Sequence, residues 1–94
     1  MKILFSPLAI EEFIDAVDFY DYQSPGLGLA FKEEFYQAMD ILQLFPFGWQ
    51  KVGPNTHKCI LKKFPYLILY IVDSNKIFIT AIAHQHRHPK SYLR

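Results

Sequence analysis

A chain of 94 residues with 51% hydrophobic and 17% aromatic side chains has the material for one domain and one core, and lies far from the polar, charged composition of disordered segments. A single cysteine, Cys59, excludes an internal disulfide framework and a multi-cysteine metal site. The net charge of +1 conceals a split: residues 1–50 carry two lysines against eight carboxylates and residues 51–94 eight cations against Asp73 alone, a pattern that points the second half toward an anionic partner, nucleic acid first among them.

The longest apolar run, Phe64 to Val72, is interrupted by Pro65 and falls well short of the ~20 residues that span a bilayer. Met1 to Phe5 is too short for the apolar core of a signal peptide. These features predict a cytoplasmic protein with no membrane association.

Lys2 to Phe5 reads as a short strand. Ser6-Pro7 stops it and starts a helix, Ser6 as N-cap and Pro7 at the first helical position. Ile10, Phe13, Val17 and Tyr20 fall on one helical face, with Glu11, Glu12, Asp15 and Asp18 off it. Gln23 to Gly28 breaks the period, since Pro25 fixes φ and Gly26 permits a positive one. A second helix follows, its buried face predicted from Phe31, Phe35, Ala38, Leu42 and Phe45, and Pro46 ends it. Two helices joined by so short a turn make an antiparallel hairpin that must cover something.

Residues 47–56 have no period and read as a surface loop in which Trp49 is a lid over the core. From His57 to Phe64 the period becomes two, with Cys59 and Leu61 on one side and Lys58, Ile60 and Lys62 on the other. Tyr66 to Val72, apolar on both faces, is the predicted central strand. Asp73-Ser74-Asn75 supplies a turn, and Lys76 to Ala83 completes a strand hairpin. The order β-α-α-β-β-β predicts an α+β fold over residues 1–94: an N-terminal strand and a helix hairpin packed on a small, curved, mostly antiparallel sheet.

The segment after the last strand holds His84, His86 and His88 with Arg87, Lys90, Tyr92 and Arg94 and no carboxylate. On a strand the three histidines would share a face, but no thiolate or carboxylate nearby in sequence completes a metal shell, and no metal or cofactor is predicted. Metal-free phosphodiester cleavage needs a base, an acid and cations around the transition state. His84, His86, Tyr92, Arg87 and Lys58 are the local supply. The same residues suit plain binding to phosphates or to an acidic protein. Gly26-x-Gly28 follows no strand, and a helix turn accounts for it better than a phosphate cradle.

An ordered set of residues spans nearly the whole chain: Ser6-Pro7 with Ala9 and Glu12, Tyr20 and Tyr22, Pro25-Gly26-Leu27-Gly28 before Phe31, Phe45-Pro46, Phe64-Pro65-Tyr66 leading to Tyr70, and His84-x-x-Arg87-x-Pro89-x-x-Tyr92. In this set the chain resembles the RelE/ParE superfamily of toxins from type II toxin–antitoxin modules. The resemblance implies a helix hairpin against a curved antiparallel sheet, and as partners a cognate antitoxin encoded nearby and either DNA gyrase, the target of ParE-like members, or the ribosome and its mRNA, cut by RelE-like members. Lys58 and Tyr92 match nuclease positions. Ile60 stands where a second lysine is usual, Leu67 where an arginine is, His57 where the ParE-like branch often has arginine, and His86 or Arg87 must serve as the terminal arginine. The incomplete nuclease set and the Pro-Gly-Leu-Gly and Phe-Pro-Tyr stretches favour the ParE-like branch, with Lys58, Lys62, Lys63, Arg87, Lys90 and Arg94 as the target-binding cations. The alternatives are an mRNA endoribonuclease using Lys58, His84, His86, Arg87 and Tyr92, or an inactive toxin kept as an antitoxin-binding module.

Overall fold

A computed structural model describes residues 1–86, Lys90 and Tyr92. Strand β1 (Lys2–Phe5) leads into helices α1 (Pro7–Gln23) and α2 (Leu27–Leu44), followed by strands β2 (Gln50–Lys51), β3 (Thr56–Ile60), β4 (Tyr66–Asp73) and β5 (Lys76–His84). The strands form one sheet in the order β1-β5-β4-β3-β2. β1 runs parallel to β5 and every other neighbouring pair is antiparallel. This is the predicted α+β arrangement, with β4 central and one unforeseen element, the two-residue β2. The predicted strand from His57 ends early, at Ile60.

Local chemistry sets the helix ends. Ser6 is extended, and its hydroxyl oxygen accepts from the Ala9 N–H at 3.1 Å, satisfying one of the amide groups that α1 leaves free. Gly26 has φ +87° and starts α2. The Asp21 carboxylate accepts from the Gly28 N–H at 2.8 Å, so the chain's own acid occupies the position a phosphate would take at this helix start.

The helices bury most of the predicted faces, Val17 and Tyr20 with Phe13 packed beside them on α1, and each departs at one residue. α1 turns Ala9, Ala16, Val17 and Tyr20 inward and leaves Ile10 47% exposed. Alanines let the helix lie close on the sheet, and a helix seated on Ala9 and Ala16 carries Ile10 and Ile14 outward. On α2, Phe31, Phe35, Ala38 and Leu42 are buried as predicted, but Phe45 is the C-cap and 63% exposed, because the helix has already ended. The core between hairpin and sheet centres on Phe31, whose ring lies 5.5 Å from Tyr20 and 5.3 Å from both Phe64 and Tyr66.

Ser74 and Asn75 both have positive φ and make a two-residue hairpin loop of the mirror-image type that matches strand twist. Further along, Leu69 pairs with Ala81 but Tyr70 pairs with Ile79, which leaves Thr80 as an extra residue. This bulge reverses the alternation of β5. Ile77 and Ile79 face the helices before it, and Ile82 faces them after it, while Ala81 and Ala83 turn to the other side. There they meet Leu67, Leu69 and Tyr92 in a second, smaller cluster.

Candidate target-binding end of the sheet

The register of β3 and β4 assigns each candidate residue a face. His57 pairs with Tyr70 and Cys59 with Ile68, all four buried, Cys59, Ile68 and Tyr70 within the core under the helices. Lys58 pairs with Leu69 and Ile60 with Leu67 on the opposite, helix-free face. Lys58 is half-buried there, and Tyr92 packs into the same face at 8% exposure.

His84 goes the other way. It pairs with Tyr66, whose ring it meets edge-on at 5.4 Å, and Tyr66 packs against the helix-side core. The sheet therefore stands between His84 and the pair Lys58 and Tyr92. A general base, an acid and a cation serving one phosphodiester must lie within hydrogen-bond reach of the same few atoms. This geometry separates them.

The histidine face read from sequence also does not form. β5 ends at His84, and Gln85 and His86 lie in a turn. The His84 Nδ1 accepts from the His86 N–H at 3.1 Å, which places the proton of the neutral ring on Nε2. The two rings lie 5.1 Å apart. His88, Arg87, Pro89 and Arg94 lie outside the described residues. Among the described residues no group of three or more histidine, cysteine, aspartate or glutamate side chains gathers in a metal-binding arrangement.

What does gather is the basic turn and the start of the terminal segment. The Gln85 N–H donates to the Pro65 carbonyl at 2.7 Å, tying the end of β5 to the β3–β4 turn, where Lys62 and Lys63 are exposed. Glu34 of α2 holds that turn from beneath. Its carboxylate accepts from the backbone N–H of Lys62 and, at 3.0 and 3.1 Å, from that of Lys63. Two backbone donors fixed on one carboxylate point the lysine side chains to solvent. Lys90 is exposed as well.

Helix carboxylates approach this end more closely than the sequence spacing indicates. Glu12 accepts from the Ile82 N–H at 3.0 Å, two residues before His84, and shares a cavity of about 290 Å³ with Asp15, Phe19 and Tyr66. Glu12 and Glu34 are the site-shaping residues that charge patterning missed. Glu12 was visible only as part of the family pattern, and Glu34 carried no signal beyond lying on a helix.

His57 has a structural role. It is 7% exposed, its Nδ1–H donates to the Trp49 carbonyl at 3.0 Å, and its ring stacks on Tyr70 at 5.2 Å. Tyr70 is fully buried and its hydroxyl donates to the Pro46 carbonyl at 2.7 Å. Together they pin the loop after α2 to the sheet, with Trp49 packed against the core as the lid predicted for it. Burial raises the Tyr70 hydroxyl well above the ordinary tyrosine range, and the neighbouring Cys59 adds to the rise. The Cys59 thiol is itself pushed up to about 11 by burial and secondarily by Glu34, which makes it a packed, protonated side chain with no nucleophilic character.

Comparison with known proteins agrees with this architecture. Residues 3–89 match the model of the family described as ParE toxin of type II toxin-antitoxin system, parDE. A solved structure of the chromosomal ParDE TA system from P. aeruginosa superposes with a TM-score of 0.77 at 18% identity, over 89% of this chain and 95% of the other. No curated protein sequence matches.

Proposed function

Because this chain belongs to the ParE toxin family of type II toxin–antitoxin systems, we propose that it arrests growth by binding DNA gyrase in the cytoplasm through the basic end of its sheet. Membership in that family makes it the toxin of a two-component module with a cognate antitoxin as partner. No helix among the described residues is long and apolar enough to cross a membrane.

The observation that carries the choice of a binding mode over a cutting one is the register of β3 and β4. The positions where RNA-cleaving members of the wider superfamily hold a lysine and an arginine are here Ile60 and Leu67, directly opposite each other on the helix-free face. An apolar pair gives no charge to stabilise a phosphorane-like transition state. Lys58, Lys62, Lys63 and Lys90, with Arg87 and Arg94, are the cations proposed to meet the target, and their strength lies in long-range attraction to an acidic surface.

Induction of the chain in bacteria, followed by a supercoiling assay on the purified protein and primer extension on cellular mRNA, tests this. Inhibited supercoiling without new mRNA ends, relieved by the product of the adjacent reading frame, is the expected result. New mRNA ends that disappear in Tyr92→Phe or Arg87→Ala would overturn it in favour of ribosome-dependent cleavage. Tight antitoxin binding with unimpaired growth would identify an inactive toxin.

A further inference from the structure

The unequal charge of the two halves of the chain becomes, in the fold, an unequal charge of its two layers. Helices α1 and α2 hold eight of the nine carboxylates against Lys32 alone. The other described cations sit on strands and turns. Ile3 and Ile77 pair and pack on the helix side, so the preceding pair, Lys2 and Lys76, projects from the helix-free face. Lys58 projects from the same face beside Leu69, and the turn after β3 adds Lys62 and Lys63, both exposed. Lys2 belongs to the acidic half of the sequence, and β1 carries it to the basic layer.

The arrangement of these lysines points to an extended anion. Lys2 and Lys76 stand side by side in the β1–β5 register, and like charges so placed cost stability. Asp73, the ninth carboxylate, lies opposite Lys76 and offsets one of them. At the other end of the face, the Glu34 oxygens are engaged by the Lys62 and Lys63 backbone amides. From Lys76 to Lys58 is two strands across and four residues along, a span of roughly 16 Å. Cations at the two ends of such a span reach the phosphates on both sides of the B-DNA major groove, which is about 12 Å wide. Between them Leu67, Leu69, Ala81 and Ala83 pack with Tyr92, none more than 8% exposed. That closed cluster offers a protein partner no pocket for an apolar anchor and unpaired bases no exposed ring to stack on.

We infer that the helix-free face of the sheet lies along duplex DNA, with Lys2 and Lys76 on the phosphates of one strand and Lys58, Lys62 and Lys63 on those of the other. The contact is to the backbone and independent of base sequence, because phosphate contacts position a protein on the duplex without reading it. The acidic helices turn away from the polyanion, so the charge of the two layers orients the molecule before contact. The inference rests on the gyrase reading above and deepens it: a toxin whose basic face lies on the duplex is held where that enzyme meets its own substrate.

The test is fluorescence anisotropy of a labelled duplex of about 30 base pairs titrated with the full chain between about 50 and 200 mM KCl. Five lysines releasing counterions should give a slope of log K against log salt of about −4 to −5. Lys2→Gln, Lys58→Gln and Lys76→Gln should each bring that slope closer to zero by about 1, and Lys32→Gln, in the helix layer, should leave binding unchanged. Single-stranded RNA of the same length should bind more weakly than the duplex. Absence of binding at the lowest salt, a slope unmoved by Lys58→Gln and Lys76→Gln, an equal loss in Lys32→Gln, or RNA binding as tight as the duplex would each overturn the inference. Supercoiling assays separate the two readings: a chain that binds the duplex and leaves gyrase active fails the gyrase reading alone, and one that inhibits gyrase without binding the duplex fails this one alone.

Discussion

Ile60 and Leu67 face each other across β3 and β4, and the two differ sharply in burial: Ile60 is 45% exposed and Leu67 is 4%. Their chemistry is shared but their tolerance to charge is not. Leu67 packs with Leu69, Ala81, Ala83 and Tyr92, where an arginine would leave an unpaired charge among apolar side chains. Leu67→Arg should therefore cost roughly 3 kcal/mol, while Ile60→Lys should stay within about 1 kcal/mol of the parent. Urea unfolding of both variants checks this. Equal losses would mean that the helix-free face is not packed by Tyr92 as described.

The two glycines of the interhelical turn make separate predictions because they serve separate needs. A Cβ at Gly28 would lie 2.6 Å from the Asp21 carboxyl carbon and 2.7 Å from the Val17 carbonyl oxygen, the latter fixed backbone. At Gly26 there is open space, but φ is +87°. Gly28→Ala should cost about 2–3 kcal/mol by forcing the helices apart, and Gly26→Ala about 1 kcal/mol through backbone strain alone. Thermal melts should rank them in that order, and the reverse ranking would contradict the close approach of α1 and α2.

Much of this was legible in the chain. Pro7 and Pro46 marked helix ends because proline fixes φ, Gly26 because glycine permits the positive φ that starts α2, and the two-faced apolar run of β4 marked the centre of the sheet. On the inward face of α1 only Ile10 departs from the periodicity, because hydrophobicity weights Ile10 above Ala9, whereas close packing on a sheet selects the smaller residue. The site was less legible still. Lys58 and His84 look like neighbours in a list of candidates, and only strand register, with the bulge at Thr80 reversing β5, sets them on opposite faces. Glu12 and Glu34 act through backbone N–H groups at long sequence separation, a relationship that no local pattern encodes.

The buried acids predict alkaline sensitivity. The folded Cys59 thiol titrates near 11 against an ordinary value of 9.0, and Tyr70 and Tyr20 are also raised, each mainly by burial. An acid whose folded value is raised is neutral in both states at pH 7–8, so its contribution is fully present there. Above pH 9 the unfolded thiol ionises first, and stability falls as pH climbs toward 11. The thiol alone should account for about 2 kcal/mol of that loss. Urea melts at pH 8, 9, 10 and 11 should show the decline, and Cys59→Ala should flatten its pH 9–11 portion even though it lowers the starting stability. An unchanged slope in that variant would assign the loss to the tyrosines.

The covered edge of β5 yields the last prediction. β1 stops pairing at Ile79, and the next outward N–H, that of Ile82, is taken by the Glu12 carboxylate from α1. A hydrogen bond to an ionised acceptor contributes about 1.5–3 kcal/mol, and this one also closes a strand edge that would otherwise template pairing with a second chain. Glu12→Ala should lose about 2 kcal/mol and speed exchange of the Ile82 amide at least tenfold. It should also begin to self-associate at concentrations where the parent sediments unchanged. Glu12→Gln keeps an acceptor oxygen without the charge, so it should recover most of the amide protection and less of the stability. If neither Glu12→Gln nor Glu12→Ala sped exchange of the Ile82 amide, the edge would owe its cover to the body of α1 and not to the carboxylate.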